Sequence, residues 1–157
     1  MIEPAFSGVL RKLYNELAGS GFNWVVTGSL NFVLQGLPIT PHDIDIQTDT
    51  PGAYEIKRRF ALYMTRKVVF SSTERIRSHF GAMVIDGITV ELMGDIQKRL
   101  KNASWEDPVD LDRYKRLIAF DGMDVPVLSL EYEAQANRKL GRLERAQMLQ
   151  EALSVQK

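Results

Sequence analysis

The chain has 157 residues, 45% hydrophobic and 25% charged, with 20 basic and 20 acidic side chains and no cysteine. That length suits one ordinary domain, 1–157, whose core folds without covalent staples, and the missing cysteines exclude disulfides, cysteine zinc sites and thiol nucleophiles. Zero formal net charge argues against a protein that coats nucleic acid, and the absence of a membrane-length apolar run or a leader-like start gives a cytoplasmic, membrane-free expectation.

In chain order, Phe6, Val9, Leu10, Leu13, Tyr14 and Leu17 recur at helical spacing, with Pro4 in the first turn and Gly19 and Gly21 as the stop. Residues 23–27, short, apolar and partly β-branched, predict a buried strand. Gly28-Ser29 turns the chain into a short helix that Gly36 ends, and 37–42 is a loop. Asp43 to Gln47 alternates polar and apolar, the strand period. Thr50 is expected to cap a helix whose buried side comes from Tyr54, Ile56, Phe60 and Leu62. Residues 66–70, 79–85 and 88–93 read as strands, the last two joined at Asp86-Gly87, a hairpin dipeptide. Residues 95–101 read as helical. A second hairpin pairs 116–120 with 125–128. Ser129 then caps a helix running to about Leu153, with Glu131 and Glu133 in its first turn and a basic face of Arg138, Lys139, Arg142 and Arg145. The sum is an α+β fold with a mixed sheet flanked by helices and a C-terminal helix: a core over about 22–93, then a hairpin and helix over about 112–153.

The chemistry gathers at three places. Asp43 and Asp45 alternate on one strand, so both side chains face one way, roughly 6.6 Å apart along it. They are hard oxygen ligands that suit magnesium. Glu91 sits among apolar neighbours on another strand. If the two strands are adjacent, a third carboxylate joins the pair, and three carboxylates can hold two ions for phosphoryl chemistry. Gly28-Ser29 closes a strand and opens a helix, where backbone amides and the helix dipole favour a phosphate.

Thr27-Gly28-Ser29, thirteen intervening residues, then Asp43-Ile44-Asp45-Ile46 resembles the motif of the DNA polymerase beta-like nucleotidyltransferase superfamily, with Glu91 matching its third acid. The stretch Asp124 to Glu131, followed by Arg138-Lys139-Leu140-Gly141-Arg142, resembles the tail of small nucleotidyltransferases akin to the aminoglycoside and lincosamide adenylyltransferases and to toxin-type enzymes of abortive-infection systems. The resemblance implies transfer of a nucleoside monophosphate from a triphosphate, ATP first, to a hydroxyl acceptor with release of pyrophosphate. It implies Mg2+ held by Asp43, Asp45 and Glu91, the catalytic acids. It also implies nucleotide phosphates on Gly28 and Ser29, with Lys139 and Arg142 near the triphosphate. A homodimer or partner chain can complete such a site, and tRNA stays open as an acceptor.

Plainer readings stand beside these. Asp43 and Asp45 are also what the solvent face of an edge strand looks like, Glu91 an ordinary strand acid, Gly28-Ser29 a plain capped turn, and Lys139 with Arg142 a solvated helix face. His42, just before the acidic pair, is a candidate contact to a phosphate or the acceptor set against an incidental loop histidine, His79 carries no assigned role, and Trp24 and Trp105 read as packing residues. Asp-x-Asp also occurs in metal-dependent glycosyltransferases, which do not need the upstream Gly-Ser. The alternative function is a catalytically silent domain of the same fold that binds nucleotide or a protein partner.

Overall fold

The computed structural model describes residues 2–156. Helix α1 (Pro4–Leu17) leads to β1 (Trp24–Thr27), α2 (Gly28–Leu34), β2 (Ile44–Thr48) and α3 (Thr50–Arg59). A single 3-10 turn, Ala61–Tyr63, then opens the run of β3 (Met64–Ser72), β4 (Ile76–Ile85) and β5 (Ile88–Lys98). Four-residue α4 (Leu111–Tyr114), β6 (Lys115–Phe120), β7 (Met123–Leu128), α5 (Leu130–Lys139) and α6 (Leu143–Gln156) complete the chain.

The strands form one mixed seven-stranded sheet in the order β3-β4-β5-β2-β1-β7-β6. β2 runs parallel to β5 and β1 parallel to β7, while every other neighbouring pair is antiparallel. On one face, α1 and α3 pack Leu10, Leu13, Leu17 and Ile56 against Ile44, Ile46, Val90 and Leu92, all fully buried. Because strand residues alternate, the residues between these, Asp45 and Glu91 among them, face the other way. There Phe32 of α2 meets Leu130 and Ala134 of α5 and Leu149 of α6 in a second cluster. The site-bearing face of the sheet is thus roofed by α2, α5 and α6. No helix among the described residues is long and apolar enough to cross a membrane.

Four expectations need correction. Residues 95–98 continue β5 instead of turning helical; burial alternates from Ile88 to Lys98, the strand period. Asp95 takes a φ of 48° where the β4–β5 register shifts between Arg77 and His79, the mark of a bulge. Its carboxylate accepts from the Thr50 backbone N–H at 2.9 Å and from the Thr50 hydroxyl, so Thr50 is tied across the sheet. Asp49 therefore caps α3, accepting from Gly52 N–H at 2.7 Å.

Ile56 and Phe60 are buried as expected, but Tyr54 is 38% and Leu62 99% exposed, Leu62 because the helix has already ended. Finally, the C-terminal helix is two helices. At Gly141, φ is 79°, the Gly141 amide donates to Arg138 O and the Arg142 amide to Asn137 O. This is a Schellman termination, which a glycine at that position favours, and it turns α6 away from the axis of α5. Trp24 is core, as expected, and Trp105 lies half-buried between the guanidinium groups of Arg77 and Arg99.

Candidate active site

The strand adjacency on which Glu91 depends is present. Thr27 pairs with Asp45 across β1–β2, and Asp45 pairs with Glu91 across β2–β5. The three residues form one row across the sheet, on the face opposite Ile44 and Ile46. Asp43 precedes β2 by one residue, and the row is completed from the loop side. One carboxylate oxygen from each of Asp43, Asp45 and Glu91 lies within 4.8 Å of the others.

Three acids at that distance repel one another. Burial, then the charges of Asp43, Glu91 and Glu133, pushes the Asp45 carboxyl up to about 7, against the pull of Arg145. Burial and Asp43 raise Glu91 as well, with Arg66 pulling the other way. The donors are all hard oxygens, and ionising them together is favourable only with positive charge between them. The residues therefore fit a divalent ion of the magnesium kind.

Gly28 follows β1 directly and opens α2 with a φ of 72°. A Cβ there would run into the Asp45 carboxylate, so glycine is needed both for the backbone conformation and for the close approach of α2 to the acidic row. Thr27 makes no cap bond to α2. Instead, the Gly28 amide donates to Oε2 of Glu133 at 2.9 Å, and the same oxygen accepts from Asn31 Nδ2 at 2.8 Å. One amide of the expected phosphate cradle is therefore already engaged by a protein carboxylate. The Ser29 hydroxyl accepts from the His42 amide at 3.3 Å, which ties the 37–42 loop to the start of α2.

Glu133 is a residue of the candidate site that the sequence pattern did not single out. It is buried at 5% exposure; burial pushes its carboxyl up, and hydrogen bonds from Asn31, Gly28 and Thr27 hold it down. Locally it reads as a first-turn acid of α5. Only the tertiary contact, spanning 105 residues to Gly28, shows its place.

The acidic row opens into a cleft of about 250 Å³ between the sheet and α5. Arg142 and Arg145 of the α5–α6 segment line it, and so do Lys98, Gln47 and Asn137. Arg145 also lines an adjoining groove with Ser29 and His42. Lys139 is absent from both linings; its ammonium pairs with Glu106 at 3.0 Å. Beyond the break at Gly141, Arg142, as expected, and Arg145 line the cleft. Lys98 was not expected. It is 5% exposed, donates to the Tyr132 hydroxyl at 2.9 Å, and burial pushes its ammonium down.

A mixed sheet carrying a Gly-Ser turn beside converging carboxylates, roofed by C-terminal helices, defines a nucleotidyltransferase. Over residues 9–151 the sequence matches the aminoglycoside-2''-adenylyltransferase family, and the chain belongs to it. Among solved structures, a "putative nucleotidyltransferase" from Thermotoga maritima is 60% identical, with a TM-score of 0.88 over 98% of this chain and 96% of that one. The lincosamide antibiotic adenylyltransferase LnuA, in its lincomycin-bound form, shares the fold at 10% identity, with a TM-score of 0.57 over 94% of this chain and 98% of that one. No curated protein matches the chain by sequence.

Proposed function

We propose that this nucleotidyltransferase is metal-dependent, moving a nucleoside monophosphate from a triphosphate, ATP first, to a hydroxyl of a small acceptor with release of pyrophosphate. The observation that carries the reading is the meeting of Asp43, Asp45 and Glu91 within 4.8 Å beside the opening of α2. The family's description and LnuA's name speak of aminoglycoside and lincosamide antibiotic adenylyltransferases; for this chain the proposed acceptor is a small hydroxyl-bearing molecule of that general kind.

Asp43, Asp45 and Glu91 would hold the divalent ions, which when bound supply charge neutralisation and alignment of the reacting oxygens. The remaining work belongs to the chain. Glu91, half-buried with its carboxyl held above the ordinary range, accepts the proton of the attacking hydroxyl. Arg145 stands where the cleft meets the groove containing Ser29 and His42. It and Arg142 offset the charge that grows on the pyrophosphate leaving group. The Ser29 hydroxyl, whose oxygen already accepts from His42, keeps its proton to donate to a phosphate oxygen. Arg145 takes the role expected of Lys139.

The test is thermal stabilisation by each nucleoside triphosphate, with and without magnesium, in the native chain and in Asp43→Ala/Asp45→Ala. The expected result is a magnesium-dependent shift in the native chain that the double variant loses, together with pyrophosphate release on adding a hydroxyl-bearing acceptor. A native chain with no magnesium-dependent shift for any triphosphate would overturn the reading.

A further inference from the structure

Four buried side-chain oxygens lack a hydrogen-bond partner among the described residues, and two of them, Gln47 Oε1 and Asn137 Oδ1, belong to residues lining this cleft. Gln47 is 8% and Asn137 5% exposed. A buried carbonyl oxygen without a partner costs about 1–3 kcal/mol, so two in one cleft call for a ligand that donates to them.

Their chemistry is specific. The Asn137 Nδ2 donates to the Glu133 backbone carbonyl at 2.8 Å. That bond fixes the amide's orientation, because a flip would set oxygen against oxygen. Asn137 therefore presents an acceptor. Gln47 lines the same cleft from the sheet, with its side-chain oxygen buried and unpartnered. The complementary ligand groups are N–H or O–H donors and not phosphate oxygens.

Their position selects among donors. Gln47 lies two residues beyond Asp45 on β2, so its side chain shares the Asp45 face at roughly 6.6 Å further along the strand. Asn137 lies one helical turn beyond Glu133 on α5, roughly 6 Å along the axis. Both thus sit one step from the acidic row, one on the floor and one on the roof. Further in, Ile76, Ile96 and Leu140 line the cleft, with Lys98, paired to Ile76, beside them. A nucleotide whose phosphates meet the acidic row brings its ribose to that first step and its base to that inner end.

We infer that Gln47 and Asn137 accept hydrogen bonds from the ribose 2'- and 3'-hydroxyls and make the site selective for ribonucleotides over deoxynucleotides. This rests on the nucleotide reading above.

The experiment measures the dissociation constants of ATP, 2'-deoxy-ATP and 3'-deoxy-ATP with magnesium, by calorimetry on the full chain. Each hydroxyl removed leaves a buried acceptor unpaired, so the native chain is expected to bind each deoxy analogue about tenfold more weakly than ATP. In Asn137→Ala and in Gln47→Met, preference for at least one hydroxyl falls towards unity. The ratio within each variant is unaffected by a general loss of stability. Equal binding of all three nucleotides by the native chain overturns the inference while leaving the nucleotide site standing, as does a preference that survives in both variants. If no triphosphate binds with magnesium, the nucleotide reading falls first and this inference with it.

Discussion

The floor and the roof of the cleft are built by different means. The floor is a sheet row, Thr27–Asp45–Glu91, held in register by the backbone ladders of β1, β2 and β5. Its carboxylates are placed by strand alternation, and no side-chain contact is needed to aim them. The roof is α5 and the start of α6, and its groups are placed by side-chain contacts and by one helix break. Glu133 is held by Asn31 and Gly28, and Arg142 and Arg145 reach the cleft because α5 ends at Gly141. Charge is divided in the same sense at the cleft mouth, with Asp43, Asp45 and Glu91 on the floor and Arg142 and Arg145 on the roof, while Glu133 on the roof and Lys98 on the floor run against it. A ligand with metal at one end of its phosphates and bare anionic oxygens at the other matches that division.

Breaking the floor should have the largest effect. Asp45→Asn should lower pyrophosphate release by about a thousandfold or more, while the melting temperature without metal stays level or rises, because a repelling charge is gone. A kinetic assay paired with a thermal melt separates the two. On the roof, Arg145→Ala should lower the same rate by roughly ten- to a hundredfold, as expected for a cation facing developing charge. Lys139→Ala should change it by less than about threefold, since Lys139 does not line the cleft and its ammonium is half exposed and paired with Glu106. Equal losses in Arg145→Ala and Lys139→Ala would restore Lys139 to the triphosphate.

Glu133→Ala tests the link between roof and floor. It removes the acceptor of the part-buried Gly28 amide and one of the acceptors of Asn31 Nδ2, which keeps its bond to Leu128 O, and chemical denaturation should show a loss of about 1–3 kcal/mol. The smallest effect is one of pH. The folded Asp45 carboxyl sits at about 7 against an ordinary 3.8. Between those values the folded chain holds a proton that the unfolded chain has released, so stability without metal falls as pH rises through that window. A divalent ion favours the ionised carboxylates, so the rise in melting temperature on adding magnesium should be greater at pH 8 than at pH 5. An equal rise at both would remove Asp45 from the metal site.

Much of the floor was legible in the amino-acid sequence because its signals are local. Alternation around Asp43–Gln47 and 88–93, and a Gly-Ser turn after an apolar strand, each declare their geometry within a few residues. The pairing of Asp45 with Glu91 was an inference from type and setting that the ladder bears out. The roof was less legible. Glu133 and Asn137 have no local mark, and neither does Gln47 on the floor, since each acquires its meaning from residues far away in sequence. The division at Gly141 did carry a local signal, a glycine followed by arginine, but a continuous basic helical face outweighed it. Residues 95–98 were misread although burial keeps alternating through them; the bulge at Asp95 shifts the register with β4, a feature of pairing and not of local sequence.

The contact between the Gly28 amide and the Glu133 carboxylate also bears on the order in which the protein matures. The first turn of α2 lies near the start of the chain and its partner lies 105 residues later. A chain emerging from the ribosome can complete the β1–β2 pairing early, yet the mouth of the phosphate turn is finished only when α5 docks. The acids of the floor are therefore synthesised well before the α5 residue that fastens the start of α2.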